Sequence, residues 1–462
     1  MTLNDATEPA VLPTEEGGLA PGFVRDVVDA LDRGARAEVR AMLADLHAAD
    51  LADLIGIVGP DQRRTLVDFL GKSLAPEVLS ELDESVRDEV LPLLAPAQIA
   101  EAIQALDTDD AVYLIEDLDE EQKRQVLEHV PDAERAAVEL GLQYPDYTAG
   151  RLMQREVVYV PPYWTVGQTI DHLRDTDDLP TDFFEVYVVD ATHALKGSVA
   201  LDRLVRTKRP AKITEIMDEE PTVVPVTMGQ EEIAYLFERY RLVSAPVVDE
   251  NKRLAGMITV DDIVEVIQEE VTEDILALGG VRDEEDMTTT VVQTVRNRFQ
   301  WLFVNLLTAI LASLVIGLFD GTIEKAVGLA VLMPIVASMG GNAGTQTLTV
   351  AVRALATRDL TPANAVRIVY REVLVGGLNG IIFAILMGAI GGLWFQSVQI
   401  AVVLAAAMVI NLICAGFAGI LVPLALERLK IDPAVSSTVF VTTVTDCVGF
   451  FVFLGLATWY LS

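Results

Sequence analysis

The sequence predicts a multidomain membrane protein. It comprises an all-α superhelical N-domain, an α/β region built in two similar passes, an acidic connecting helix and a C-terminal transmembrane domain of five helices. Three observations predict this. Five apolar segments, residues 299–319, 326–352, 373–395, 398–426 and 433–461, are each long enough to cross a hydrocarbon core of about 30 Å, and Asp446 is the one charge within them. The residues before Phe299 carry the entire net charge of −35, with 27 basic against 62 acidic side chains, whereas the remainder holds seven of each. Near residue 150 the spacing of apolar residues changes from purely helical to alternating strand and helix.

So acidic a front part repels nucleic acid and anionic lipid, which argues against either as a partner, and attracts cations, although a merely soluble acidic surface has the same composition. The two cysteines, Cys414 and Cys447, lie in apolar segments without metal-ligand spacing, and the four histidines (His47, His129, His172, His193) are scattered singly, so neither a disulfide frame nor a zinc site is expected. No nucleophile–base pair or phosphate-binding loop is present to suggest an enzyme. Residues 1–22, rich in Pro, Gly, Thr and Glu, lack the apolar core of a signal peptide and are expected to be a disordered tail on the cytosolic side.

From 23 to 148 the pattern is helical in short pieces. The run Leu74-Ala-Pro-Glu-Val-Leu is echoed by Leu94-Ala-Pro-Ala-Gln-Ile, each with Pro in a first turn, as in a superhelix of stacked helix pairs. Asp107, Asp109 and Asp110 open the helix predicted over 111–118, where acids suit the positive end of the helix dipole.

Residues 149–210 and 211–260 repeat the order strand, helix, strand, strand, helix, each with Val-Val-Asp before a turn (Val188-Val189-Asp190 and Val247-Val248-Asp249). Order and residues resemble a tandem pair of CBS modules. That resemblance implies a regulatory unit for adenine nucleotide or metal ions, in which Thr259 and Asp262 of the second module match the ribose-holding pair of an ATP site. The first module has Ala200 and Arg203 at those places, so one such site is implied.

The connecting region 261–298 begins with a helix that holds Asp261, Asp262, Glu265, Glu269, Glu270, Glu273 and Asp274 and no Lys or Arg. Helical spacing gathers Ile263, Val266, Ile267, Val271, Ile275 and Leu278 into one stripe and Asp262, Glu265, Glu269 and Glu273 into another. Like charges three and four apart each cost a few tenths of a kcal/mol, a penalty that a bound cation removes. Gly279-Gly280 then break the helix, and a polar connector follows.

Basic residues fall on one side at every predicted crossing. Arg296 and Arg298 precede the first span, Arg353, Arg358, Arg367 and Arg371 separate the second from the third, and Arg428 and Lys430 the fourth from the fifth. This predicts a multi-pass protein of the cell (inner) membrane, with the N-terminus cytosolic and the C-terminus outside. A carboxylate at the depth of Asp446 costs about 2.5–3.5 kcal/mol on insertion scales, and no cationic residue in the spans answers it. Thr438, Thr442, Thr445 and Gly449 share its helical face, which reads as the wall of a wet path. In the second span Pro334 and Gly340, Gly341 and Gly344 weaken the helix, and Asn342 and Gln346, four apart, offer amides to a cation. Asn305, Asn379 and Asn411 read as helix-to-helix hydrogen bonds.

Tyr144-Pro-Asp-Tyr-Thr-Ala-Gly-Arg-Leu-Met153, the two α/β modules, the acidic helix, Gly340-Gly-Asn-Ala-Gly-Thr-Gln346, Arg353-Ala-Leu-Ala-Thr-Arg-Asp359 and the Asp446 span stand in the order found in MgtE-type magnesium channels. The resemblance covers nearly all of the chain after residue 23. It implies a Mg²⁺-selective homodimer with an ion path along the dimer axis and the acidic helix as a plug that closes the pore when internal Mg²⁺ binds. By it Asp446 holds Mg²⁺ in the pore, Asn342 lines it, and Asp262, Glu265, Glu270, Glu273 and Asp274 meet regulatory Mg²⁺. Asp432, in the loop before the last span, is a candidate to share an ion with Glu273 or Asp274. The family's Asp-Asp-Ala-x-Asp motif starts here at Asp109 and ends in Tyr113, which weighs against an N-domain metal site at Asp109. The competing readings are a non-conducting membrane-anchored sensor and a carrier of another divalent metal such as Co²⁺ or Mn²⁺.

Overall fold

The computed structural model describes residues 18–176, 179–180, 183–281, 291–361 and 363–461. Most of the predicted tail and the first part of the connector after Val281 lie outside the described residues. The chain forms two compact units that meet in sequence at Ile267 and Gln268.

The first unit begins with short helices between Pro21 and Gly141, several of them started by a proline whose missing N–H costs nothing in a first turn. The sequence echo is real. A 3₁₀ turn, Gly71–Ser73, precedes the helix Pro76–Ser80, and another, Leu91–Leu93, precedes Pro96–Ile103. Leu54, Ile55, Leu66, Leu114 and Ile115 are fully enclosed in the resulting core. Two buried arginines tie successive turns together. Arg63 donates to the carbonyls of Ile55 and Gly56 at the end of the helix Ala48–Ile57 and pairs with Glu89, where a cation suits the negative end of the helix. Arg87 donates to the Tyr113 carbonyl at 2.7 Å, pairs with Asp117 and lies 4.0 Å above the Tyr113 ring.

Two three-stranded sheets follow. In the first, β1 (Tyr159–Val160) runs parallel to β2 (Glu185–Val189), which pairs antiparallel with β3 (Leu195–Ala200). In the second, β4 (Val224–Pro225), β5 (Ser244–Val248) and β6 (Leu254–Thr259) repeat that topology. Crossover helices Val166–Asp175 and Gln230–Tyr240 complete the two passes. Even the register shifts coincide, between Val188 and Val189 and between Val247 and Val248, just before Asp190 and Asp249. Those two carboxylates accept from backbone N–H groups two residues on and so fold the hairpin turns. The sequence reading missed an exchange of segments. Ala149 and Met153 pack in the core of the second module, and Ile213 and Ile216 in that of the first, so each module is completed by residues that precede the other in sequence.

The acidic helix spans Val260–Leu278. In the second unit the helix Val291–Gly317 starts within the predicted connector and continues through the first predicted span without interruption. Then come Asp320–Lys325, Gly328–Ala356, Ala365–Phe395, Val398–Arg428 and Pro433–Leu461. Among the described residues four helical stretches are long and apolar enough to cross a membrane: Val291–Gly317, Ala365–Phe395, Val398–Arg428 and Thr438–Tyr460. Gly328–Ala356 is as long, but glycines and amides make it less apolar. Pro334 and the glycines, expected to weaken this helix, leave it continuous. Its glycines lie against side chains of neighbouring helices, so packing supplies what propensity lacks. Val398–Arg428 is the most enclosed of the four apolar stretches, with Val403, Leu404, Ala407 and Met408 buried among Leu332, Val336 and Phe453.

Candidate functional site

Two groups of side chains are candidates for the site, one in each unit. In the first unit the helix Thr108–Ile115 and the first turn of the acidic helix bring four carboxylates into mutual influence. Asp109 is held well above the ordinary carboxylate range, by burial first and then by the negative charges of Asp262 and Asp110. Burial, then Asp107, Glu81 and Asp261, push Asp110 up to about 6. Asp262 rises to about 7 for want of solvent and because Asp261 stands beside it, although hydrogen bonds from Thr259 oppose the shift. Desolvated like charges of this kind resist ionisation unless a cation joins them. Among the described residues no group of three or more His, Cys, Asp or Glu is arranged to hold a metal ion directly.

Tyr113 occupies the place of the missing acid. Its ring covers Arg87 and its hydroxyl donates to the Leu82 carbonyl at 3.2 Å, so it serves packing, and Asp109 gains no third carboxylate there. Thr259 and Asp262, expected to hold a ribose, bond to each other. The Thr259 hydroxyl and N–H donate to one Asp262 oxygen at 2.9 and 3.2 Å, the return arm of a capping box at the start of the acidic helix. Glu265 and Glu273 are exposed, and Glu270 and Asp274 half-buried.

Sequence reasoning passed over Glu116. Burial and the neighbouring Asp117 push its carboxyl up to about 7, against the pull of Arg87 and Arg151. It lines an open cavity of about 730 Å³ with Lys123, Arg135, Glu139 and Arg151, and Arg151 pairs loosely with it at 3.9 Å and closely with Asp146. The signal was present in Glu116-Asp117 but indistinguishable from surface acids.

In the second unit Asp446 sits half-buried in the last helix, and no hydrogen-bond donor or cation among the described residues reaches it. The helical face it was expected to share divides. Thr445 and Gly449 turn inward against neighbouring helices, whereas Thr438, Thr442 and Asp446 stay partly exposed. The hydroxyls of Thr442 and Thr445 donate to carbonyls of their own helix, leaving the Asp446 carboxylate as the strong polar feature of that face. Gly344 meets Val441 and Thr445, so the helix bearing Asn342 crosses the last helix beside Asp446. Asn342 and Gln346 are exposed, and the Asn342 amide donates weakly to the Ser338 hydroxyl at 3.5 Å. Of the three isolated asparagines, Asn411 alone is buried and bonded to another helix, through Val336.

The end of the acidic helix lies close by within this unit. Ala277 is buried with Leu348, Val352, Ala434 and Val441, and the Thr438 hydroxyl donates to the Leu278 carbonyl at 3.1 Å. Asp432, exposed, accepts from the Ala434 N–H at 2.8 Å and so caps the first turn of the last helix.

Three domain families match the chain: a divalent cation transporter domain over residues 333–456, an intracellular N domain of the same transporters over 46–147, and a CBS domain over 213–269. A protein of Thermus thermophilus named as the magnesium transporter MgtE is 32% identical, over 93% of this chain and 96% of its own length. One of the same name from Bacillus subtilis is 27% identical over 92% and 94%. A solved cytosolic domain of the Mg²⁺ channel MgtE in complex with ATP matches 53% of this chain and 99% of its own, with 31% identity and a TM-score of 0.48.

Proposed function

The chain belongs to the MgtE family of magnesium transporters, and from that membership we propose that it is a Mg²⁺ channel for magnesium uptake, closed by the same ion on the cytosolic side. In this reading residues 299–462 form a five-span membrane domain, with the Gly328–Ala356 helix as its second and more polar span. The functional unit is a homodimer in the inner membrane, with the acidic front part in the cytosol. Asp446 is the pore carboxylate and Asn342 an outer partner. What carries the reading is Asp446 itself: a carboxylate in an apolar helix, answered by no donor or cation among the described residues, beside the crossing with the Asn342 helix.

The mechanism follows from charge. Mg²⁺ prefers six oxygens and gives up water reluctantly, so one carboxylate from each of two subunits, with amides and carbonyls, suits a largely hydrated ion. Facing carboxylates also reject anions. Asp109 and Asp262, with Asp110 and Asp261, supply one regulatory cation site. Glu270, Glu273 and Asp274, with Asp432, supply another, and Glu265 adds charge between them. Both lie along one continuous helix, Val260–Leu278, so neutralising either end favours a state in which that helix can pack closely. Closure requires that Mg²⁺ bind the closed state more tightly than the open one, which several weak sites together provide. ATP, held at Thr259 and Asp262, would bias the same helix at its first turn.

The test is Mg²⁺ flux into proteoliposomes at graded internal Mg²⁺. Asp446→Asn abolishes flux if the carboxylate lines the path, and internal Mg²⁺ suppresses flux in the unaltered protein. A non-conducting sensor shows no flux to lose, and a carrier of Co²⁺ or Mn²⁺ shows stronger flux with those ions.

A further inference from the structure

Asn411 lies midway along the helix Val398–Arg428, its residue 1% exposed. Its Nδ2 donates to the Val336 carbonyl at 2.9 Å, which fixes the amide's orientation, and its Oδ1 is buried with no hydrogen-bond partner. The amide is clasped between two glycines of different helices. A Cβ at Gly340 would stand 2.2 Å from Nδ2, and one at Gly449 would stand 2.8 Å from it, so neither position admits a side chain while Asn411 is present. Gly340 is two residues before Asn342, and Gly449 three after Asp446, less than one helical turn in each case.

We propose that Asn411 is a positioning residue for ion passage. Its amide is a spacer of fixed thickness that sets the separation of the helices bearing Asn342 and Asp446, and so the width of the path at the carboxylate. The proposal rests on the reading of Asp446 as pore-lining. Two features argue for more than packing. An apolar side chain of similar size would fill the gap without leaving a buried acceptor unpaired. In addition, the Val336 carbonyl already serves the Gly340 N–H in the helical pattern, so the amide's bond pins the very turn that Gly340 belongs to. Fixing one turn on one side and one glycine on the other leaves the two polar groups little freedom to spread or to rotate.

The experiment compares full-length Asn411→Ala, Gly340→Ala, the double variant and Asp446→Asn in proteoliposomes. It measures Mg²⁺ flux per folded channel and the Mg²⁺ to Ca²⁺ permeability ratio. Asn411→Ala is expected to lower flux about tenfold or more, the scale of one buried hydrogen bond, and to shift the ratio. Gly340→Ala clashes and loses folded protein, and adding Asn411→Ala relieves the clash and recovers yield but not the ratio. A ratio and flux per folded channel unchanged in Asn411→Ala, with Asp446→Asn inactive, overturns the proposal and leaves the pore reading standing. An Asp446→Asn channel that conducts like the unaltered protein removes both. If Asn411→Ala yields no folded protein, Asn411→Ser carries the test: a shifted ratio supports the spacer and an unchanged one overturns it.

Discussion

Asp262→Asn isolates the electrostatic cost stored in the acidic cluster. In the folded protein the Asp262 carboxyl sits at about 7 rather than 3.8. A difference of roughly three units corresponds to an upper bound of about 4 kcal/mol against the folded state once the group is ionised. Burial and the neighbours Asp261 and Asp110 supply that cost, and an amide escapes most of it. Asparagine also keeps an oxygen to accept from the Thr259 hydroxyl and N–H, so the cap of the acidic helix survives. Because the residue is only partly buried, the expected gain for the full-length protein in chelator at pH 8 is about 1–3 kcal/mol in thermal or denaturant unfolding of the first unit. A folded pKa raised above the unfolded one means that stability is complete below about pH 3.8 and is lost as pH rises through 7, so the gap between variant and unaltered protein should close as pH approaches 4. Added Mg²⁺ should stabilise the unaltered protein more than the variant, and Mg²⁺ block of flux should weaken in the variant. A variant less stable than its parent in chelator at pH 8, or a gap that persists at pH 4, refutes the reasoning.

Glu116, raised to about 7, adds a component of the same sign, so Glu116→Gln should flatten the loss of first-unit stability between pH 4.5 and 7, readable by thermal unfolding in chelator. Arg87→Met removes a cation that the core encloses while leaving the Tyr113 carbonyl without its donor. Losing that donor should cost about 1–3 kcal/mol in denaturant unfolding, since Asp117, left without its partner, is 43% exposed and can be solvated, whereas the exposed Arg33–Glu38 pair should be nearly silent. Glu270→Lys with Glu273→Lys places fixed positive charge where the proposal puts regulatory Mg²⁺. Flux through this variant should be low even at zero internal Mg²⁺, and a block curve identical to that of the unaltered protein contradicts the gating scheme.

The order and type of the elements were written in the sequence because they depend on local period. The two sheets fall where Val-Val-Asp recurs, the acidic helix starts within a residue of its first Asp, and the long helices lie on the apolar runs. Asp446 was legible from sequence alone as an unanswered carboxylate in an apolar helix, since the cost of a charge among apolar neighbours needs no coordinates. What tertiary structure decided are matters of distance between segments remote in sequence. It set Tyr113 over Arg87, gave each α/β module a segment from the other, and split the threonine face around Asp446 so that Thr445 points inward. Asn411 shows the boundary best. In the sequence it was one of three isolated asparagines, and only the approach of two glycines from two other helices turned it into the residue that spaces them. A chain encodes which faces are apolar within a few residues of each position, but which side chain meets which depends on close packing, which is resolved only when all the helices are in place.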